Sequence, residues 1–193
     1  EASLNTFHVD ARGGCAPSWT SPPLSPPGTM AVRIAPARPE DTGTVFALIR
    51  ALAEYERLSH LVVGTEEDLR GELFGAQPVI ESVLAWDGDR AVGFALFFHN
   101  YSTFLARRGL YLEDLFVVPE ARGRGIGKAL IGHCARVAVT RGCGRFEWSV
   151  LDWNESAIAF YRSLGAELLP DWRICRLTGE SLQRFGAVGA ASQ

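Results

Sequence analysis

The sequence predicts a single α/β domain with a mixed, mostly antiparallel central sheet flanked by helices. Three observations carry that prediction. Apolar residues recur at helical spacing in some segments and alternate or cluster in strand-length runs in others. The resulting elements follow the order β-α-α-β-β-β-α-β-α-β, in which hairpins and helical crossovers both occur. A chain of 193 residues with 47% hydrophobic content also suits one well-packed domain better than two.

Residues 1–29 stand apart, because Pro17, Pro22, Pro23, Pro26 and Pro27 lie among Ser, Thr and Gly and can sustain neither helix nor ladder. They read as a disordered tag or upstream extension. Met30, the only methionine, reads as the natural start. A transit peptide is the competing idea, weakened by a single arginine, two acidic residues and no amphipathic period. The folded domain is expected over 30–180, with a C-terminal tail over 181–193.

Ala31 to Ala35 reads as the first strand. Pro39-Glu40-Asp41 opens a helix with acidic residues where the dipole favours them, and Val45, Leu48, Ile49, Leu52 and Tyr55 follow at helical spacing. Thr65 and Asp68 form a capping-box-like start for a second helix. Ser82–Trp86 and Ala91–His99 are strands around the turn Asp87-Gly88-Asp89. Leu110–Val118 is a strand ended by Pro119, and a helix runs from about Gly127 to Arg141. A strand over Phe146–Leu151, a helix over Glu155–Leu164 and a last strand over Trp172–Leu177 complete the series.

The formal net charge of −3 argues against general nucleic-acid binding. No apolar run approaches the roughly 20 residues that span a bilayer. Cys15, Cys134, Cys143 and Cys175 form no CxxC pair and have no histidine at ligand spacing, so the sequence offers no metal site. Scattered thiols of this kind fit a reducing cytosol. His60, His99 and His133 read as isolated surface or packing residues.

Arg122-Gly123-Arg124-Gly125-Ile126-Gly127-Lys128 joins a strand end to a helix start. A helix N-terminus leaves N–H groups unsatisfied and carries partial positive charge, which suits an anion. Glycines let the backbone approach a phosphate, and Arg122, Arg124 and Lys128 add full charge, so a pyrophosphate is the expected ligand. A Walker A loop is excluded because Ala129 follows Gly127-Lys128. A dinucleotide fingerprint is disfavoured because no strand with an acidic end lies about 20 residues on.

Arg122-x-x-Gly125-x-Gly127 after Leu115-Phe116-Val117-Val118-Pro119 resembles the acetyl-CoA signature of the GNAT N-acetyltransferases. The likeness runs from about Met30 to Leu177. Ala53-Glu54-Tyr55-Glu56, Tyr111-Leu112-Glu113-Asp114, Asp152-Trp153-Asn154-Glu155, Phe160-Tyr161 and Leu164-Gly165-Ala166 are similar to its diamine branch, the spermidine/spermine and thialysine N-acetyltransferases. The resemblance implies a GNAT-like sheet splayed at the acetyl-CoA site. It further implies acetyl-CoA as co-substrate, a small amine as acceptor, a cytoplasmic enzyme and a homodimer.

An alkyl ammonium must lose a proton before it can attack a thioester. Glu113 sits mid-strand, where desolvation would raise its pKa. Strand parity puts Glu113 on the face of Tyr111, Leu115 and Val117 and Asp114 on the other, so the two are not expected to act as a dyad. The resemblance makes Glu113 the residue that meets the amine and relays its proton through water, and Tyr161 the acid that protonates the departing thiolate. It also implies backbone contacts to acetyl-CoA from Leu115, Phe116 and Val117, and a pantetheine contact from Asn154, which can cap the following helix. Tyr55 and Glu56 would join Glu113 in an acidic slot for a second ammonium. Ala157 lacks a hydroxyl that polyamine enzymes carry. The connection before Trp172 is short, and Asp171 is an uncertain counterpart to a family acid there. Alternatives are a non-catalytic acyl-CoA-binding regulatory module, a nucleotide-binding module, or a GNAT enzyme acting on a protein N-terminus or an aminoglycoside.

Overall fold

The computed structural model describes residues 32–188. These form two compact units, one ending at Glu147 and the other starting at Trp148. The expected extension over 1–29, Ala31 and residues 189–193 lie outside the described residues.

The first unit is built on a five-stranded sheet in the order β1-β2-β3-β4-β5. The strands are β1 (Arg33–Pro36), β2 (Glu81–Asp87), β3 (Arg90–Ser102), β4 (Arg107–Val117) and β5 (Phe146–Trp148). The first four pair antiparallel. The N–H of Gly144 donates to Arg108 O at 2.9 Å and that of Leu110 to Arg145 O at 3.0 Å. The numbering rises together along both chains, as in a parallel pair joined by a helical crossover. The mixed, mostly antiparallel sheet expected from the sequence is therefore present.

Helix α1 (Thr42–Tyr55) follows a 3-10 turn at Pro39–Asp41. Asp41 is buried and accepts from the Arg38 N–H at 2.9 Å, so it holds the chain entry instead of merely lining the first turn. Helix α2 (Glu66–Phe74) starts on the capping box seen in the sequence: Asp68 N–H donates to Thr65 Oγ1 at 3.2 Å, and Thr65 N–H to Asp68 Oδ2 at 2.8 Å. Helix α3 (Ile126–Thr140) connects β4 to β5.

Strand register assigns the faces. Val45 and Leu48 of α1 pack with Leu84, Phe94, Leu96 and Phe116, all nearly or fully buried. Each such side chain contributes about 1.5–3 kcal/mol on burial. The opposite face carries Gly93, Ala95 and Phe97, and Leu130 of α3 packs close to Gly93. β3 and β4 run several residues beyond their apolar cores, to Ser102 and from Arg107, because ladder hydrogen bonds need backbone and not apolar side chains.

The second unit contains α4 (Glu155–Ser163) and α5 (Gly179–Val188). Residues 172–177, expected as a strand, form none, and α5 occupies most of the expected tail. Apolar residues at Trp172, Ile174 and Leu177 can suggest a strand but cannot supply the partner backbone it must bond. Among the described residues no helix is long and apolar enough to cross a membrane.

At Gly93 an added Cβ would lie 2.7 Å from the Phe116 carbonyl oxygen, a backbone atom that cannot swing away. Gly93→Ala is expected to lower stability by about 1–3 kcal/mol. Urea unfolding monitored by fluorescence checks this, with a shifted midpoint at constant m-value as the expected result.

Candidate active site

The segment after β4 turns through a 3-10 step at Pro119–Ala121 and enters α3 at Gly125. Gly123 and Gly125 have φ of +76° and +77°, a region that side chains rarely adopt. Gly125 offers no side-chain cap, so the first N–H groups of α3 depend on another acceptor.

The cations of the loop are divided among different tasks. Arg124 pairs with Asp87 of the β2–β3 turn at 2.6 Å and holds that carboxyl below the usual range. Arg90 in the same hairpin pairs with Glu120. Arg122 folds back: its Nε–H donates to the Val117 carbonyl at 3.0 Å, and its guanidinium carbon lies 4.4 Å from the Tyr55 ring centroid and 5.7 Å from that of Phe116. Lys128 is exposed and has no hydrogen bond or ion pair among the described residues. Three equivalent phosphate cations, as the sequence implied, are therefore not what the loop presents. Ile126 is buried and anchors the helix start, while Gly127 is partly buried.

Leu96 pairs with Asp114 and Phe97 with Leu112, so Glu113 is an extra residue in β4. Parity breaks there. Tyr111 pairs with Phe98 and Leu115 with Ala95, which lie on opposite faces, so Glu113 cannot share a face with both. Asp114 shares the α1 face with Leu96 and Phe116, and desolvation pushes its carboxyl up to about 6, with further contributions from the charges of Glu113 and Glu56. Glu113 itself is exposed. The sequence reading assigned the buried role to the wrong member of the pair, and it separated two carboxylates that act on one another.

The third acid, Glu56, ends α1. Arg57 adopts φ 62°, a left-handed conformation that costs a non-glycine residue about 1 kcal/mol or more. The N–H of Arg57 donates to Glu54 O at 3.0 Å and that of Leu58 to Ala53 O at 2.7 Å, which closes the helix beneath Tyr55 and Glu56. Partial burial pushes the Glu56 carboxyl above its ordinary value. The Tyr55 ring tilts against Phe116 at 6.4 Å between centroids.

The free edge of β4 is selective about which backbone groups it offers. Val118 N–H donates to Val92 O at 3.0 Å, so by alternation Phe116 also faces β3, and Leu115 and Val117 face away from it. β5 begins opposite Arg108–Leu110 and is three residues long, too short for its ladder to reach 115–117. Leu115 and Val117 therefore have backbone groups on an unpaired edge. Phe116, also expected as a backbone contact, is committed to the β3 ladder, and its ring belongs to the α1 core.

Asn154 and Tyr161 belong to the second unit. Asn154 Oδ1 caps α4, accepting from Ala157 N–H at 3.2 Å and from the Ser156 hydroxyl at 3.1 Å. Ala157, Ile158, Tyr161 and Leu164 form the half-buried stripe that the sequence indicated. The Tyr161 ring packs against Trp148 at 5.0 Å and Phe160 at 5.3 Å. His99 is not isolated. Its Nδ1 lies 3.0 Å from Gly109 O and 3.8 Å from Cys143 Sγ, and Arg141 Nη1 lies 3.0 Å from its Nε2.

Residues 44–166 match the acetyltransferase (GNAT) family. A thialysine N-epsilon-acetyltransferase of Mus musculus is 40% identical, over 79% of this chain and 96% of that protein. An L-ornithine N5-acetyltransferase of Arabidopsis thaliana is 36% identical, over 85% of this chain and 92% of its own length. Among solved structures, an integron cassette protein from the mobile metagenome of V. cholerae superposes with a TM-score of 0.68 at 28% identity, covering 81% of this chain and 98% of that one. An aminoglycoside acetyltransferase from a soil metagenome, at 21% identity and a TM-score of 0.66, shares the fold. With the family matched across most of the folded chain and such relatives aligned over nearly their whole length, this protein belongs to the GNAT acetyltransferases, in the branch that holds its thialysine and ornithine relatives, and is an N-acetyltransferase acting on amines.

Proposed function

We propose that the protein transfers the acetyl group of acetyl-CoA to a primary amine of a small diamine, polyamine or thialysine-like amino acid, by direct attack in a ternary complex. The observation that carries this reading is the acid cluster of Glu56, Glu113 and Asp114, beside a strand edge that ends in a backbone anion cradle. An ammonium ion gains from such a cluster, and a pyrophosphate from the cradle. The names of the relatives favour the amino-acid acceptors. The resemblance supports a cytosolic homodimer.

In this scheme the N–H groups of Gly123 to Lys128 and the Lys128 ammonium hold the pyrophosphate. Leu115 and Val117 bond the pantetheine arm and the thioester oxygen along the open edge, and Asn154 contributes a further pantetheine contact. Tyr55, Glu56 and Asp114 receive the amine. Its proton leaves through water to Glu113, which faces solvent. The amine nitrogen then attacks the carbonyl carbon, an N–C bond forms, the C–S bond breaks, Tyr161 protonates the departing thiolate, and the second proton lost by the nitrogen restores Tyr161. A proton passes to solvent for each amide made.

Thiol release with acetyl-CoA and a panel of diamines, polyamines, lysine analogues and peptides tests the reading. Thermal-shift measurements with acetyl-CoA, ATP and NAD accompany it, and absence of stabilisation by acetyl-CoA would sink it. Tyr161→Phe is expected to lower turnover about a hundredfold or more while leaving acetyl-CoA affinity nearly unchanged. Full turnover in that variant would remove Tyr161 from the role of acid.

Asp114 also makes a stability prediction. Its folded pKa is raised from 3.8 to about 6, so between those values the folded state binds more protons than the unfolded one. Stability from this group therefore falls as pH rises through that window. Asp114→Asn is expected to flatten the decline, as read by denaturant unfolding at several pH values. An unchanged slope would contradict the desolvation of Asp114.

A further inference from the structure

We infer that Arg122 is a positioning residue that locks the amine slot to the cofactor loop through Tyr55, and is not a phosphate ligand; this rests on the reading under Proposed function. Three elements meet at its guanidinium. Phe116 lies on β4, Tyr55 ends α1, and Arg122 follows β4 at the mouth of the loop. The Tyr55 ring lies against Phe116 and the guanidinium lies over Tyr55 at 4.4 Å, closer than the 5.7 Å to Phe116. The Nε–H is spent on the Val117 carbonyl at 3.0 Å. A planar ion held by one edge and one face has its orientation fixed.

Two consequences follow from the neighbours. Glu56 is the residue after Tyr55, and its charge acts on Asp114. A shift of the Tyr55 ring therefore moves the acids that receive the amine. The Val117 carbonyl lies on the open edge of β4, where an unpaired carbonyl would repel the oxygen of a thioester laid along the strand. By occupying that acceptor, Arg122 leaves the Val117 N–H as the group that Val117 offers at the edge.

The roles of phosphate ligand and positioning residue separate in Arg122→Gln, Arg122→Lys, Tyr55→Leu and the double variant Arg122→Gln with Tyr55→Leu. Direct acetyl-CoA binding by calorimetry and the KM for the amine are measured for each. The stack predicts that Arg122→Gln and Tyr55→Leu each raise the amine KM by about tenfold, and that the double variant is no worse than either single change. It also predicts acetyl-CoA affinity within about twofold of the parent and no rescue by Arg122→Lys, because lysine keeps the charge but loses the planar face and the Nε bond.

A drop of about tenfold or more in acetyl-CoA affinity in Arg122→Gln, restored by Arg122→Lys and absent from Tyr55→Leu, would overturn the inference alone. Independent, multiplying effects on the amine KM would overturn it too. Failure of the parent protein to bind acetyl-CoA would instead overturn the cofactor reading on which it rests. Retained acetyl-CoA binding shows that each variant is folded.

Discussion

The ladder between β3 and β4, with one residue too many in β4, sets the geometry on which the rest of the site depends. From Ser102–Arg107 to Phe97–Leu112 the strands pair in one phase, and from Leu96–Asp114 onward in the other. The extra residue is Glu113. Were Glu113 paired in a regular ladder, Asp114 and Leu112 would share a face, and Asp114 would lie against the apolar side that receives α3. The bulge turns Asp114 toward α1 instead, within reach of the charge on Glu56, and leaves Glu113 exposed beside it. Bulges re-aim side chains in this way, and this one creates an acid cluster from residues that a regular strand would keep apart.

Downstream of the bulge, β4 separates two kinds of binding group. Phe116 gives its ring to the core and its backbone to β3, so it fixes the strand. Leu115 and Val117 present backbone groups where β5 has already ended. The loop that follows is held from outside its own sequence: Asp87 takes Arg124, Arg90 takes Glu120, and Tyr55 takes Arg122. Exposed ion pairs contribute little to stability, about 1 kcal/mol or less. Their consequence is geometric, since they set the direction of the loop and leave its backbone N–H groups and Lys128 facing open space.

Much of this was legible along the chain. The starts of α1 and α2, both ends of α3, the Thr65–Asp68 box, the Asn154 cap, the β2–β3 hairpin and the glycine loop are local matters. Each is set by residues within a few positions of one another, where φ preference, capping and periodicity act directly. The family resemblance rests on the same kind of feature, a loop and five short blocks of residues in order along the chain.

The partners of those features were not legible. Nothing in Leu112-Glu113-Asp114-Leu115 announces a bulge, because the extra residue exists only relative to the register of β3. Arg122 and Arg124 read as equal phosphate cations until Tyr55, 67 positions before Arg122, and Asp87, 37 before Arg124, claim them. His99 looked isolated until Gly109, Arg141 and Cys143 surrounded it. Residues 172–177 were read as a strand and form none, since a ladder needs a second backbone. The sequence by itself determined the secondary elements and their order through the helix that Asn154 caps, the glycine loop and the family. Which carboxylate is desolvated, which loop cation is unpaired among the described residues and which backbone edge is open were decided by tertiary structure, because each depends on a group far away in the chain taking or leaving a hydrogen bond, a charge or a share of solvent.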